Sequence, residues 1–126
     1  MTKSFNAKAL MAPLLLWVSW VAWGGVPAPQ EGMASYYADF LHGHRTASGA
    51  RYDKNALTAA HQTLRFGTRV RVTNVANGKA VEVTINDRGP HTKRRIIDLS
   101  RAAASKLGIL GAGVAKVRVE VLEVPH

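Results

Sequence analysis

Residues 69–90 read RVRVTNVANGKAVEVTINDRGP, and this stretch decides the fold. Arg69–Asn74 and Val81–Ile85 each alternate apolar and polar residues with period two, the pattern of a strand with one face buried. Between them stands Asn77-Gly78, a pair that tolerates the positive φ of a tight turn and marks a hairpin. Val70, Val72, Val81 and Val83 then share a core face, with Arg69, Arg71 and Glu82 outside. The second strand is expected to break at Ile85-Asn86-Asp87-Arg88-Gly89-Pro90, leaving a carboxylate, Asp87, at its tip among cations. Spacing alone leaves three roles open for it: turn residue, salt-bridge partner, or working acid of an enzyme.

Outward from the hairpin, Met33–Tyr37 is a short aromatic strand and Ala56–Ala60 a short buried one ending at His61. Residues 114–122 alternate again and make a last strand. Ser100–Leu107 is the one good helix, with Ser100 suited to the N-cap and Gly108 to the C-terminal stop. Residues 26–32 read as a linker. Residues 39–55 are rich in Gly, His, Ser, Asn and Asp, too polar for core and too long for a simple turn, and such loops often carry function. Five or six short strands with one helix predict a small β-barrel, closed so that no strand edge is exposed.

The N-terminus has a different character. Lys3 and Lys8 precede an apolar run from Ala9 to about Trp23, and small and turn-forming residues follow as far as Pro29. This layout is that of a secretory signal peptide. The run is short of the roughly 20 residues that span a membrane, although an uncleaved anchor is the alternative. Residues 1–28 are therefore expected to be leader and linker, and a periplasmic or secreted location follows. The chain has no cysteine, so disulfides, thiol chemistry and lipidation at an N-terminal cysteine are all excluded. Of 17 basic residues only Lys3 and Lys8 precede residue 30, whereas all 8 acids follow it, so the remainder carries +7. Such a field favours a polyanionic partner. Export makes an acidic wall polymer or membrane surface more accessible than nucleic acid.

Few chemistries remain. His42 and His44 form a close pair, but no third ligand stands at a diagnostic spacing, so no metal is expected. The sequence holds no phosphate-cradling glycine loop and no Gly-x-Ser-x-Gly elbow. The carboxylates are left. Asp98 precedes the helix and can simply favour its positive end. Asp53 can make an Asx-turn in the polar loop. Asp87 is the candidate at a rim.

Five segments carry a family resemblance: GMASYYADFLHGHRTASGARYD, NALTAAHQTL, FGTRVRVTN, NGKAVEVTINDRGP and RIIDLSRAAASKLG. In that order they resemble the core of the rare lipoprotein A family, with TAAH and NDRGP the most specific motifs. The resemblance implies a six-stranded double-psi β-barrel with one short helix over residues 32–122. It implies an endolytic lytic transglycosylase that cuts peptidoglycan glycan strands between N-acetylmuramic acid and N-acetylglucosamine without water, leaving 1,6-anhydromuramoyl ends. Carried over by motif, Asp87 of NDRGP is the catalytic acid and base and His61 of TAAH its partner. Tyr36, Tyr37, Arg88, His42, Thr46 and Asp53 are expected to contact substrate. No cofactor, lipid anchor or nucleic-acid partner is expected, and the chain is expected to be a monomer. One position departs from the pattern: where the family reads TASGE or TANGE, with a functional glutamate, this chain has Ala50.

A site with one carboxyl is chemically admissible. The acid that protonates the leaving oxygen becomes the base that accepts the proton of the attacking C6 hydroxyl. Glycosidases that use water need two carboxyls. Here the nucleophile belongs to the sugar. Arg88, Lys93, Arg94 and Arg95, all close to Asp87 in sequence, favour its charged form, opposite to what a general acid needs. Either Asp98 or Asp53 compensates as a second carboxyl, or Arg88 points away. Two competing readings stand beside the enzyme: a non-catalytic peptidoglycan-binding barrel, suggested by Ala50, and a general polyanion binder.

Overall fold

The computed structural model describes residues 27–126, so the leader reading falls almost wholly on residues outside it. Six strands appear: β1 Gln30–Tyr36, β2 Thr58–His61, β3 Arg69–Asn74, β4 Ala80–Arg88, β5 Arg95–Leu99 and β6 Ala115–Glu123. Helix α1 spans Arg101–Leu107, and a single 3-10 turn covers Asp39–Leu41. The strands close into a barrel in the order β1-β5-β2-β4-β3-β6. Two pairs are parallel, β1 with β5 and β2 with β4, and the other four are antiparallel.

The hairpin forms as its alternation requires. Val72 faces Val81 and Val70 faces Val83 across β3 and β4, and all four are buried. Ile85, Ile97, Leu99 and Val117 fill the same interior with no exposed surface. Each side chain of this size contributes about 1.5–3 kcal/mol on full burial. At the turn, Gly78 takes φ 74° and donates its N–H to the Asn74 carbonyl.

Helix α1 is capped at both ends. The Ser100 hydroxyl accepts from the Ala103 N–H and donates to the Ala56 carbonyl, tying the helix start to the segment before β2. Gly108 stops the helix in the left-handed conformation at φ 73°. The side-chain amides of Asn74 and Asn77 both donate to the Leu107 carbonyl, which a helix end leaves without an intrahelical partner. The asparagines that turn the hairpin thus also finish the helix. Its buried face is Ala103, Ala104 and Leu107, small enough to let the helix lie close on the barrel.

Three features differ from the expectations. The segment expected to be linker contributes Gln30–Gly32 to β1, because these residues pair antiparallel with Val117–Val119 of β6. Gly32 is needed there, since a Cβ would stand 2.7 Å from a methyl carbon of Ile96. Strand β5 was not foreseen: Ile96 and Ile97 are too short a run to show a period. Strand β4 does not end at Asp87 but includes Arg88, because β2 pairs with it there.

One buried group is left unpaired among the described residues. Thr68 has no exposed surface, and its Oγ1 finds no hydrogen-bond partner. An unpartnered buried hydroxyl costs on the order of 1–3 kcal/mol. Thr68→Val keeps the shape and removes that group, so its urea midpoint is expected to rise, by a stability gain of about 1 kcal/mol.

Candidate active site

The two parallel pairs, joined by the antiparallel β2–β5 pair, build one row of residues across the barrel wall. Asp87 of β4 lies opposite Ala60 of β2, Ala60 opposite Asp98 of β5, and Asp98 opposite Ser35 of β1. Two strand spacings of about 4.8 Å separate the backbones of the two aspartates. Both line one open cavity of about 300 Å³, together with Tyr37, Leu41, Ala60 and Arg95.

Asp87 is held by three donors. Its Oδ2 accepts from the Tyr37 hydroxyl at 2.5 Å. Its Oδ1 accepts from the backbone N–H of Arg88 at 2.8 Å and from that of Ala47 at 2.8 Å. The Ala47 donor comes from the polar loop, and Thr46 is the reason it is in place. Buried Thr46 sends both its N–H and its hydroxyl to the Ala50 carbonyl, each at 2.7 Å, and Gly49 closes the turn at φ 93°. That turn carries the Ala47 N–H onto Asp87.

Tyr37 is fixed from its other side. Its ring stacks on Tyr52 with centroids 4.3 Å apart, and the Tyr52 hydroxyl accepts from the Arg101 N–H at the start of α1. Burial, the hydrogen bond to Asp87 and the nearby charges of Asp87 and Asp98 push the Tyr37 phenol well above its ordinary range. The phenol therefore keeps its proton as a donor. Tyr36 also lines the cavity, but its hydroxyl donates to the Leu110 carbonyl and not to Asp87.

Arg88 is also among the residues that line the cavity, but it does not pair with Asp87. Its guanidinium donates to the carbonyls of His61 at 2.9 Å and Leu64 at 2.7 Å and lies 4.3 Å from the centre of the Phe66 ring. The second carboxyl in the cavity is Asp98, itself occupied by Arg95 Nη1 and the Ser35 hydroxyl, each at 2.6 Å. Arg95 also contacts the Ser35 hydroxyl.

The other expected site residues lie outside this cavity. Asp53 is exposed, and its Oδ1 accepts from the Asn55 N–H, an Asx-turn. His42 accepts the Lys54 N–H at Nδ1 and stands edge-on to Tyr52. His61 is buried and borders a different, largely apolar cavity with Gln30, Leu64, Val119 and Val121. Its Nδ1 accepts the N–H groups of Thr63 and Leu64, and Nε2 sits 3.0 Å from Gln30 Oε1. His61 reaches the Asp87 region through its backbone, whose carbonyl holds Arg88 and also accepts the Gly89 N–H. Among the described residues no group of three or more His, Asp or Glu comes together as a metal site.

Residues 29–119 match the family model described as lytic transglycolase, a double-psi barrel model covering well over half the chain. The chain belongs to the lytic transglycolase family. Relatives within this family include the probable endolytic peptidoglycan transglycosylase RlpA of Synechocystis, 55% identical over 73% of this chain and 29% of that protein. The RlpA of Neisseria meningitidis serogroup A is 55% identical over 72% of this chain and 38% of that protein. The chain thus spans about a third of the length of the relatives it matches. Among solved structures, Streptomyces papain inhibitor superposes with a TM-score of 0.64 at 26% identity over 79% of this chain and 98% of that one. The expansin of Clavibacter michiganensis superposes with a TM-score of 0.63 at 20% identity over 79% of this chain and 52% of that one, a likeness of fold.

Some parts of this candidate site carry no signal in the sequence. Ala47 acts through its main chain and carries no side-chain signal. Tyr52 and the Asp98–Arg95–Ser35 cluster are brought in by pairing between distant segments. Of the two carboxyls expected as neighbours of Asp87, the register of β5 with β2 brings Asp98 into the cavity, and Asp53 stays outside it.

The His61 imidazole is held below its ordinary 6.5 by burial and then by the Arg88 charge. Protonation would also place a proton on Nδ1, where two N–H groups already point. Below 6.5 the unfolded chain therefore binds more protons than the folded one, and stability falls as pH falls through the folded value. The urea midpoint is expected to drop between about pH 7 and 5, and His61→Gln should show a shallower slope over that window.

Proposed function

We propose that this chain is a lytic transglycosylase of the bacterial wall that cleaves the bond from N-acetylmuramic acid to N-acetylglucosamine, with Asp87 as acid and then base. The observation that carries the reading is the Asp87 carboxyl, set in an open cavity, without an ion pair among the described residues, and oriented by three donors on three separate segments. A carboxyl that served only as a salt-bridge partner would hold a cation. The adjacent Arg88 is instead bound to two carbonyls.

The reaction then balances without water. Asp87 in its acid form gives its proton to the glycosidic oxygen, the bond from C1 of the muramic residue to that oxygen breaks, and N-acetylglucosamine leaves as the alcohol. The C6 hydroxyl of the muramic residue forms the new bond to C1, and its proton passes to the Asp87 carboxylate. Asp87 ends as it began, and a 1,6-anhydro ring closes. The Tyr37 hydroxyl rotates about its C–O bond, so it can donate to the carboxylate and accept from the acid. Ala60, a bare methyl between the two aspartates, leaves room for the sugar. Wall substrate places the working chain outside the cytoplasm, and no helix among the described residues is long and apolar enough to cross a membrane.

One observation favours a second reading, a barrel that binds glycan without cutting it. Asp87 accepts three hydrogen bonds and has no carboxyl partner among them, and the position of the family's glutamate is Ala50. Product analysis on purified glycan strands separates the two. The wild-type chain is expected to release 1,6-anhydromuramoyl ends, with Asp87→Asn slower by at least about 100-fold, the scale of a lost acid–base group. Ala50→Glu is expected to raise the rate. Binding of strands by the wild type with no anhydro product would sink the catalytic reading.

A further inference from the structure

Phe40 is 75% exposed, the largest exposure of any large apolar side chain among the described residues. Burying a phenylalanine contributes about 1.5–3 kcal/mol, and this one contributes almost none of that. Nor does it sit on a loose segment. The 3-10 turn Asp39–Leu41 is closed by Leu41 N–H to Ala38 O and His42 N–H to Asp39 O, each 3.1 Å. His44 N–H to Leu41 O at 2.9 Å and Gly43 N–H to Tyr52 O at 2.8 Å continue the fixation. Asp39 is further tied to Arg101 of α1 at 3.2 Å. The backbone is pinned so that the ring stands in solvent.

Its position gives the exposure a meaning. Ala38 and Leu41, on either side of it in this turn, both line the Asp87 cavity. Apart from Ala38 and Leu41, the turn is framed by polar groups: Asp39, its Arg101 partner, and His42. Protein docking surfaces present contiguous apolar patches of several hundred Å². A single aromatic ring in a polar frame, at the lip of an open groove, matches a different partner. A pyranose offers one face of polarised C–H groups about the size of a phenyl ring, and these pack on the electron-rich π face. Its hydroxyls stay at the edge, where polar side chains and water can bind them.

We propose that Phe40 is a stacking platform for a sugar ring of the glycan strand, adjacent to the ring held at Asp87. This deepens the peptidoglycan reading and rests on it, but it concerns binding and not bond cleavage. Phe40 thereby favours strands long enough to reach the turn.

The test is the affinity of purified glycan strands for the wild type, Phe40→Ala, Phe40→Leu and Phe40→Trp, each also combined with Asp87→Asn so that no cleavage intervenes. Phe40→Ala and Phe40→Leu are expected to bind about 3- to 10-fold more weakly, the scale of one aromatic stacking contact. Phe40→Trp should bind as tightly as the wild type or tighter, with thermal midpoints unchanged throughout. Equal affinity of Phe40→Ala and the wild type overturns the inference. So does full binding by Phe40→Leu, which would make the contact merely apolar, and so does a wild type that binds no glycan. Phe40-dependent binding without anhydro products supports the platform and overturns only the proposed reaction.

Discussion

The parallel pairing of β2 with β4 is the constraint on which the site depends. The hairpin partner β3 accompanies β4 only from Ala80 to Thr84. Ile85 still bonds Thr68 and Gly67 just before β3, and from Thr84 to Arg88 β4 pairs with β2, which places Ala60 beside Asp87 and His61 beside Arg88. Without that second partner the NDR segment would be a free turn and its carboxylate a mobile group. The proposed role requires the Asp87 carboxyl to keep its geometry within a fraction of an ångström, and a strand ladder holds its backbone.

The same pairing settles the electrostatic difficulty in the sequence. Asp87 and Arg88 are neighbours in a strand, so their side chains leave opposite faces of the sheet. The carboxyl turns to the cavity. The guanidinium turns to the segment after β2, where the carbonyls of His61 and Leu64 and the ring of Phe66 receive it. Arg95 is likewise occupied by Asp98 and Ser35. A chain with a large basic excess thus keeps its nearest cations from pairing with Asp87. What Asp87 receives in their place is neutral donors, the Tyr37 hydroxyl and two backbone N–H groups.

The polar loop also gains a physical role. Residues 39–55 read as functional because of their length and composition, and the function lies partly in their backbone. Thr46 folds the turn, the turn presents the Ala47 N–H, and Tyr52 braces Tyr37 against the start of α1. Thr46 thus bears on the site through the turn it shapes. Ala50 contributes its carbonyl to that turn, so the turn closes without a carboxylate at this position.

Local chemistry was legible from the sequence alone. Period-two alternation revealed three of the strands, Asn77-Gly78 the hairpin, and Ser100 with Gly108 the helix ends, because each of these depends on residues within one turn or one pleat of each other. The motif around Asp87 likewise pointed to the family. Tertiary structure alone decided that Gln30–Gly32 and Arg95–Leu99 are strands, since their order comes from partners far away in the chain. It alone decided that Tyr37 and not Tyr36 meets Asp87, that Asp98 shares the cavity while Asp53 does not, and that His61 faces another cavity with its ring. Those choices follow from register between β1, β2, β4 and β5, and a one-residue change in register sends a side chain to the opposite face. No pattern within a single segment carries that information.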